Sequence, residues 1–103
     1  MKKLFISQPM RGLSDEQILA ARERAIISAE AELGEPVEVI DSFFQKAPHD
    51  AKPLWFLGKS LELLADADMV YFVEGWEEAR GCRIEHLAAL EYGIDMRIES
   101  FVK

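Results

Sequence analysis

Hydrophobic residues along the chain fall into two rhythms: short unbroken runs, and longer stretches in which they recur every three or four positions. The run from Lys3 to Ser7, KLFIS, gives way to Gln8-Pro9, and because proline cannot donate to a sheet ladder it predicts a buried first strand that stops there. Ser14 then opens SDEQILAARERAIISAEAEL, where Ser14 and Gln17 have capping-box spacing and Asp15 and Glu16 suit the positive end of a helix. Ile18, Ala21, Ala25, Ala29 and Leu33 share one face of this helix. Arg22, Glu23, Glu30 and Glu32 read as lying away from that face or at its margin, and Gly34 as the stop.

Val37 to Ile40, VEVI, is rich in β-branched residues and predicts a second strand, followed by an irregular connection from Phe43 to Pro53. LWFLGKSLELLADAD places Leu54, Leu57, Leu61 and Leu64 on one stripe and reads as a helix despite Gly58. MVYFV, Met69 to Val73, is the most hydrophobic strand candidate and is expected at the centre of the sheet. A helix through RIEHLAALEY stops at Gly93, and RIESFV is a candidate last strand. Strand and helix alternate throughout. The predicted fold is therefore α/β: a small doubly wound, mainly parallel sheet of four to five strands with helices on both faces, Rossmann- or flavodoxin-like. One domain spanning residues 1–103 is expected, with no repeat or linker.

Composition narrows the partners. Half of the 103 residues are hydrophobic, enough for one core and too few for two domains. The formal net charge of −7 argues against duplex nucleic acid or an anionic membrane, which require clustered Lys and Arg, while a small ligand at a local basic site stays compatible. Cys82 is the only cysteine, and the apolar stretch in MKKLFISQPM is too short for a signal peptide or a span, so a cytoplasmic protein is expected. His49 and His86 lack ligand-like spacing and are expected at the surface, with no metal site.

In open α/β sheets, ligands bind beyond the C-terminal strand ends where strand order reverses. Three segments qualify: SQPMRG, DSFFQKAPHD and EGWEEARG. If the first and third strands are neighbours at the reversal, Arg11, Gly12, Gly81 and Glu85 converge on one crevice. Gly12 and Gly81 would let backbone N–H groups approach an anion, and Arg11 offers a planar fork, although glycine before a helix is equally explained by structure alone. Neither GxGxxG nor GxxxxGK[ST] occurs. Glu85 falls one turn beyond Gly81 at the edge of a stripe formed by Ile84, Leu87, Ala88 and Leu90. The pattern fits a half-buried carboxylate or a solvated helix residue near the N-terminal dipole. The aromatics Phe43, Phe44, Trp55, Phe56 and Trp76 exceed what so small a core needs; one or two could stack on a base or close a dimer, while Phe43 and Trp55 also suit the core or an interface.

KLFISQPMRG at the start and ADADMVYFVEGWEEARGCRIEHLAALEYGI in the second half together resemble the small nucleoside 2-deoxyribosyltransferase-like proteins. The similarity is greatest to their compact, phage- and bacteria-associated branch of unknown function. Pro9-Met10-Arg11-Gly12 matches that branch's PMxG or PITG-like loop, and Gly75 to Glu85 matches its GWExSxGAxxE-like segment, with Ala79 and Cys82 where many relatives have serine and alanine. Cys82 reads as a packing residue.

The resemblance implies that Glu85 is a catalytic nucleophile attacking the anomeric carbon of a nucleoside or nucleoside monophosphate, through a glycosyl ester resolved by water or a second base. It implies a pocket drawn from Ser7, Gln8, Met10, Arg11, Gly12, Asp41, Ser60, Gly75, Trp76, Arg80 and Gly81. It also implies no cofactor, a small-molecule nucleoside or nucleotide partner, and a homodimer or higher homo-oligomer. Characterised relatives carry an aspartate where Ser60 stands, and a hydroxyl cannot replace a carboxylic acid. Asp41 could substitute geometrically; Asp66 and Asp68 precede the central strand at its wrong end and read as cap or turn residues. Two alternatives follow: a catalytically inactive nucleotide-binding module that sequesters or senses its ligand, and an interaction protein with an acidic, aromatic surface.

Overall fold

The computed structural model describes residues 1–43 and 47–99. Four strands, β1 (Lys2–Ser7), β2 (Val37–Val39), β3 (Met69–Phe72) and β4 (Asp95–Ile98), form one parallel sheet in the order β2-β1-β3-β4. Leu4 lies opposite Val39 on one side and Met69 on the other, and Ser7 lies opposite Phe72. From β1 the chain moves outward to β2, and from β3 outward to β4, so strand order reverses between β1 and β3. The last strand begins at Asp95, two residues before the expected Arg97, and residues 100–103, the end of the expected RIESFV strand, lie outside the described residues.

Helix α1 (Asp15–Leu33) starts at the predicted capping box: the Ser14 side chain accepts from the Gln17 amide, and the Gln17 side chain accepts from Ser14 N–H. It ends at Gly34, whose φ of 72° only glycine adopts cheaply and whose N–H bonds Glu30 O at 2.8 Å. The small residues Ala21, Ala25 and Ala29 let α1 sit close against Leu4, Ile6, Met69, Tyr71 and Val73. Arg22 differs from its expected marginal place: it is buried on this same side of the helix.

The opposite face of the sheet, with Phe5, Val70 and Phe72, is covered by α2 (Pro53–Leu64) and α3 (Arg80–Glu91) through Leu64 and Ala89. Burying each phenyl ring there contributes about 1.5–3 kcal/mol. Two helix faces depart from expectation. In α2 only Leu64 of the predicted stripe is fully buried, and Leu54 is exposed. In α3 the stripe of Ile84, Leu87 and Leu90 points outward, while Cys82, Glu85 and Ala89 face inward. Small side chains at 82 and 89 let the helix close on the sheet, where larger aliphatics would hold it off. Among the described residues no helix is long and apolar enough to cross a membrane.

Candidate functional site

The exits from β1 and β3 run side by side. Val73 N–H bonds Ser7 O at 2.9 Å, carrying the parallel ladder one step past β3. Gly75 then turns the chain with φ 93°, against the loop after β1: a Cβ on Gly75 would meet Pro9 Cγ at 3.4 Å. That positive φ, more than the contact, is what calls for glycine. A 3-10 turn, Trp76–Glu78, leads through extended Ala79 into α3, whose second turn aims Glu85 back at the end of β1.

Glu85 is only 7% exposed, which rules out the solvated-helix alternative. Ser7 Oγ donates to Glu85 Oε1 at 2.6 Å, joining two residues 78 positions apart. Burial raises the Glu85 pKa above the ordinary glutamate range, opposed first by the Ser7 hydroxyl and then by the Ser60 hydroxyl reaching it from α2. Three elements, β1, α2 and α3, thus converge on one carboxylate. Cys82, one turn earlier on α3, is buried beside it. Burial, opposed by the Ser7 hydroxyl and reinforced by the Glu85 charge, pushes its thiol up to about 11, a protonated and unreactive state at neutral pH.

Beside this group lies a polar network that sequence reasoning missed. Arg22 Nη1 donates to Gln8 Oε1 at 3.2 Å and to Ser42 Oγ at 3.3 Å, and Nη2 donates to Ile40 O at 3.2 Å. Gln8 Nε2 donates to Ile18 O at 3.1 Å, and Ser42 Oγ to Ile6 O at 3.4 Å. The network ties the ends of β1 and β2 to α1. Burial lowers the Arg22 pKa and nearby Asp41 raises it, with no carboxylate in direct contact among the described residues. A signal was available: Ile18, Arg22, Ala25 and Ala29 follow one another at four- and three-residue steps, so Arg22 lies on the buried stripe.

The other predicted residues sit as follows. Met10 O accepts from Leu13 N–H at 3.1 Å, closing a turn that carries exposed Arg11 and Gly12, the latter with φ 80°. Gln8 spends both ends of its amide inside the protein, so its side chain belongs to the Arg22 network. Asp41 is exposed after β2, Arg80 is the exposed first residue of α3, and Gly81 lies inside that helix, not ahead of it. Trp76 stacks on His86 with ring centroids 4.4 Å apart at 21°, and Phe72 lies 5.2 Å from both rings. This stack anchors the 3-10 turn to α3 and makes His86 half-buried where the sequence suggested the surface; His49 is exposed. Phe44 lies outside the described residues. Among the described residues no group of three or more His, Cys, Asp or Glu side chains is placed to hold a metal ion.

Fold and site together define a small parallel α/β domain with a buried, hydroxyl-bound glutamate beside the strand-order reversal. The chain belongs to the family described as a domain of unknown function, DUF4406, whose model matches residues 2–98. No curated protein matches it in sequence. A solved structure of the 2-deoxyribosyltransferase from the psychrotolerant bacterium Bacillus psychrosaccharolyticus is similar, with a TM-score of 0.61 at 14% identity, over 98% of this chain and 77% of that one. At that identity the likeness is one of fold, and it gives the sheet and its helices a deoxyribosyltransferase-like, Rossmann-type architecture.

Proposed function

We propose that this protein cleaves or transfers the N-glycosidic bond of a nucleoside or nucleoside monophosphate, with Glu85 as the nucleophile. The observation that carries the reading is the buried Glu85 carboxylate held through Oε1 by Ser7. The hydroxyls of Ser7 and Ser60 hold the carboxylate in one orientation, as a positioned nucleophile requires. A carboxylate whose pKa is raised by burial is also the stronger nucleophile once ionised.

In the first half-reaction a Glu85 oxygen forms a bond to the anomeric carbon as the carbon–nitrogen bond breaks. The bonding pair leaves with the base, which takes up a proton. Water or a second base then attacks the anomeric carbon of the glycosyl ester, gives its proton to the group that protonated the first base, and returns Glu85 as carboxylate. Ser60 contributes a hydrogen bond to the carboxylate and cannot protonate the leaving base at ordinary pH; Asp41, exposed after β2, is the carboxyl group proposed for that proton. Arg11, Gly12, Gly75, Trp76, Arg80 and Gly81 would border the sugar, base or phosphate, and Met10 the same loop.

The resemblance noted for PMRG and GWEEARGCRIE, together with the fold shared with a 2-deoxyribosyltransferase, supports this chemistry. A second reading, a nucleotide-binding module without turnover, is favoured by Ser60 standing where characterised relatives carry aspartate. A panel of nucleosides and nucleoside monophosphates, with and without an acceptor base, separates the two when released base is followed by chromatography. Release supports the enzyme. Saturable binding without release supports the binding module, and the absence of both release and binding supports an interaction protein.

A further inference from the structure

Glu85 is held by neutral groups alone. The polar side chains brought to its buried carboxylate are the hydroxyls of Ser7 and Ser60 and, one turn earlier on α3, the protonated thiol of Cys82. Among the described residues no Lys, Arg or His side chain forms an ion pair with it. A buried negative charge balanced only by hydroxyl donors attracts a cation strongly, because its surroundings screen it little.

The proton that an ordinary leaving base needs has no enclosed donor. A purine or pyrimidine cut from a neutral nucleoside departs as an anion unless an acid protonates it, and burial is what lets a carboxyl keep such a proton at neutral pH. Among the described residues at the C-terminal strand ends, two carboxyl side chains are enclosed. One is Glu85, the nucleophile. The other, Glu99, has a side chain only 7% exposed, but it accepts from Glu74 N–H at 3.1 Å and pairs with Arg24 of α1 at 3.6 Å, on the face of the sheet away from α3. Asp41, Glu74, Glu77 and Glu78 are exposed. Ser60, standing where characterised relatives carry aspartate, turns its hydroxyl to Glu85.

We propose that the substrate is a nucleotide whose leaving base is already cationic while attached, as a pyridinium ring is. The inference rests on the glycosidic reading and narrows it. A Glu85 oxygen bonds to the anomeric carbon as the carbon–nitrogen bond breaks. The bonding pair passes to the ring nitrogen and cancels its positive charge, so the base leaves neutral and takes up no proton. Water then attacks the anomeric carbon, the pair of the ester bond returns to Glu85 as carboxylate, and a proton from the water goes to solvent. Each turnover converts the cationic nucleotide and water into sugar phosphate, neutral base and one proton. The cationic ring is drawn to the unpaired charge of Glu85 and to the indole of Trp76, half-buried at the β3 exit, while exposed Arg11 and Arg80 suit the phosphate. A neutral base depends on exposed Asp41 for its proton; a cationic base does not.

The test sets nicotinamide mononucleotide beside its reduced dihydropyridine form, adenosine monophosphate and cytidine monophosphate, on wild-type protein and Glu85→Gln. Released base is followed by chromatography and released proton by a pH indicator. The reduced form nearly keeps the shape of the cationic one and removes its charge, so the comparison on wild type holds even if the variant folds poorly. Each rate is divided by the uncatalysed hydrolysis rate of the same compound, which cancels intrinsic lability. Nicotinamide mononucleotide should release one proton per base, and the release should be lost in Glu85→Gln. The enhancements for the three compounds with uncharged bases should be about 10²–10⁴-fold smaller, the factor that a missing general acid costs. Release from the cationic nucleotide should climb with pH and level off with no falling limb, since no acid has to stay protonated. Glu85-dependent release of uncharged bases at equal or greater enhancement, or a bell-shaped pH profile for the cationic nucleotide, would overturn this inference and leave the glycosidic reading standing. Release from none of these compounds, nor from the wider panel of nucleosides, would overturn both.

Discussion

Ser7, the last residue of β1, donates its hydroxyl hydrogen to Glu85, in the second turn of α3, across 2.6 Å of protein interior. The bond is possible because β1 and β3 are parallel neighbours with Ser7 opposite Phe72, so the turn that leaves β3 delivers α3 beside the end of β1. Replacing Ser7 with alanine removes a partner from a buried carboxylate. Ser7→Ala should destabilise the fold by about 1–3 kcal/mol at a pH above the raised Glu85 pKa, where the carboxylate is ionised. The loss should shrink at pH 4, where the carboxylate is protonated. Urea unfolding of both proteins at the two pH values measures it.

Glu85 also makes stability depend on pH in a predictable direction. Its folded-state pKa lies above the ordinary value of 4.5 because burial disfavours the charge. Folding therefore favours the protonated form. The stability that this preference contributes is complete below 4.5 and is lost as pH rises through the raised value. Glu85→Gln removes the ionisation and nearly keeps the shape. The melting temperature of the variant relative to wild type should climb between pH 4.5 and pH 8 and level off beyond the raised pKa. Other carboxylates are common to both proteins and cancel in the difference. A difference independent of pH would show that Glu85 titrates as an exposed residue does.

The Arg22 network should be a structural necessity. Arg22→Met fills similar space but leaves Gln8 Oε1, Ser42 Oγ and Ile40 O without their donor. A loss of about 2–4 kcal/mol is expected. Arg22→Lys should recover only part of it, because an ammonium cannot reach both strand ends with the geometry of the guanidinium fork. Chemical denaturation of the three proteins gives the comparison.

Much of the architecture was legible in the chain because local signals agreed. Pro9 closed β1, the Ser14–Gln17 box opened α1, Gly34 ended it, and the solid run from Met69 marked the central strand. The faces of α2 and α3 were not legible. Counting apolar spacing on α3 picks out Ile84, Leu87 and Leu90, yet the sheet takes Cys82 and Ala89, since close helix-to-sheet packing selects small residues over hydrophobic ones. Glu85 was singled out from its motif, but its bond to Ser7 was not, because the meeting of the two depends on the register between β1 and β3. Arg22 went unrecognised because a charged residue on an apolar stripe is ordinarily assigned to the margin. Its partners come from two separate segments, the ends of β1 and β2, that only the fold assembles.

Cys82 gives a separate check on the packing around Glu85. Buried, with its thiol pushed up to about 11, it should react with an aromatic disulfide reagent at neutral pH far more slowly than a free thiol, and fully on unfolding. Rapid labelling of the folded protein would mean that the α3 helix opens away from β1.

The most direct test of the glycosidic role is release of base by wild-type protein and Glu85→Gln side by side, on whichever nucleoside or nucleoside monophosphate the wild type binds, across a range of pH. The expected result is release that rises with pH through the raised Glu85 pKa, and its loss in Glu85→Gln while binding persists. Release that survives the substitution unchanged would remove Glu85 from the chemistry and with it the central claim.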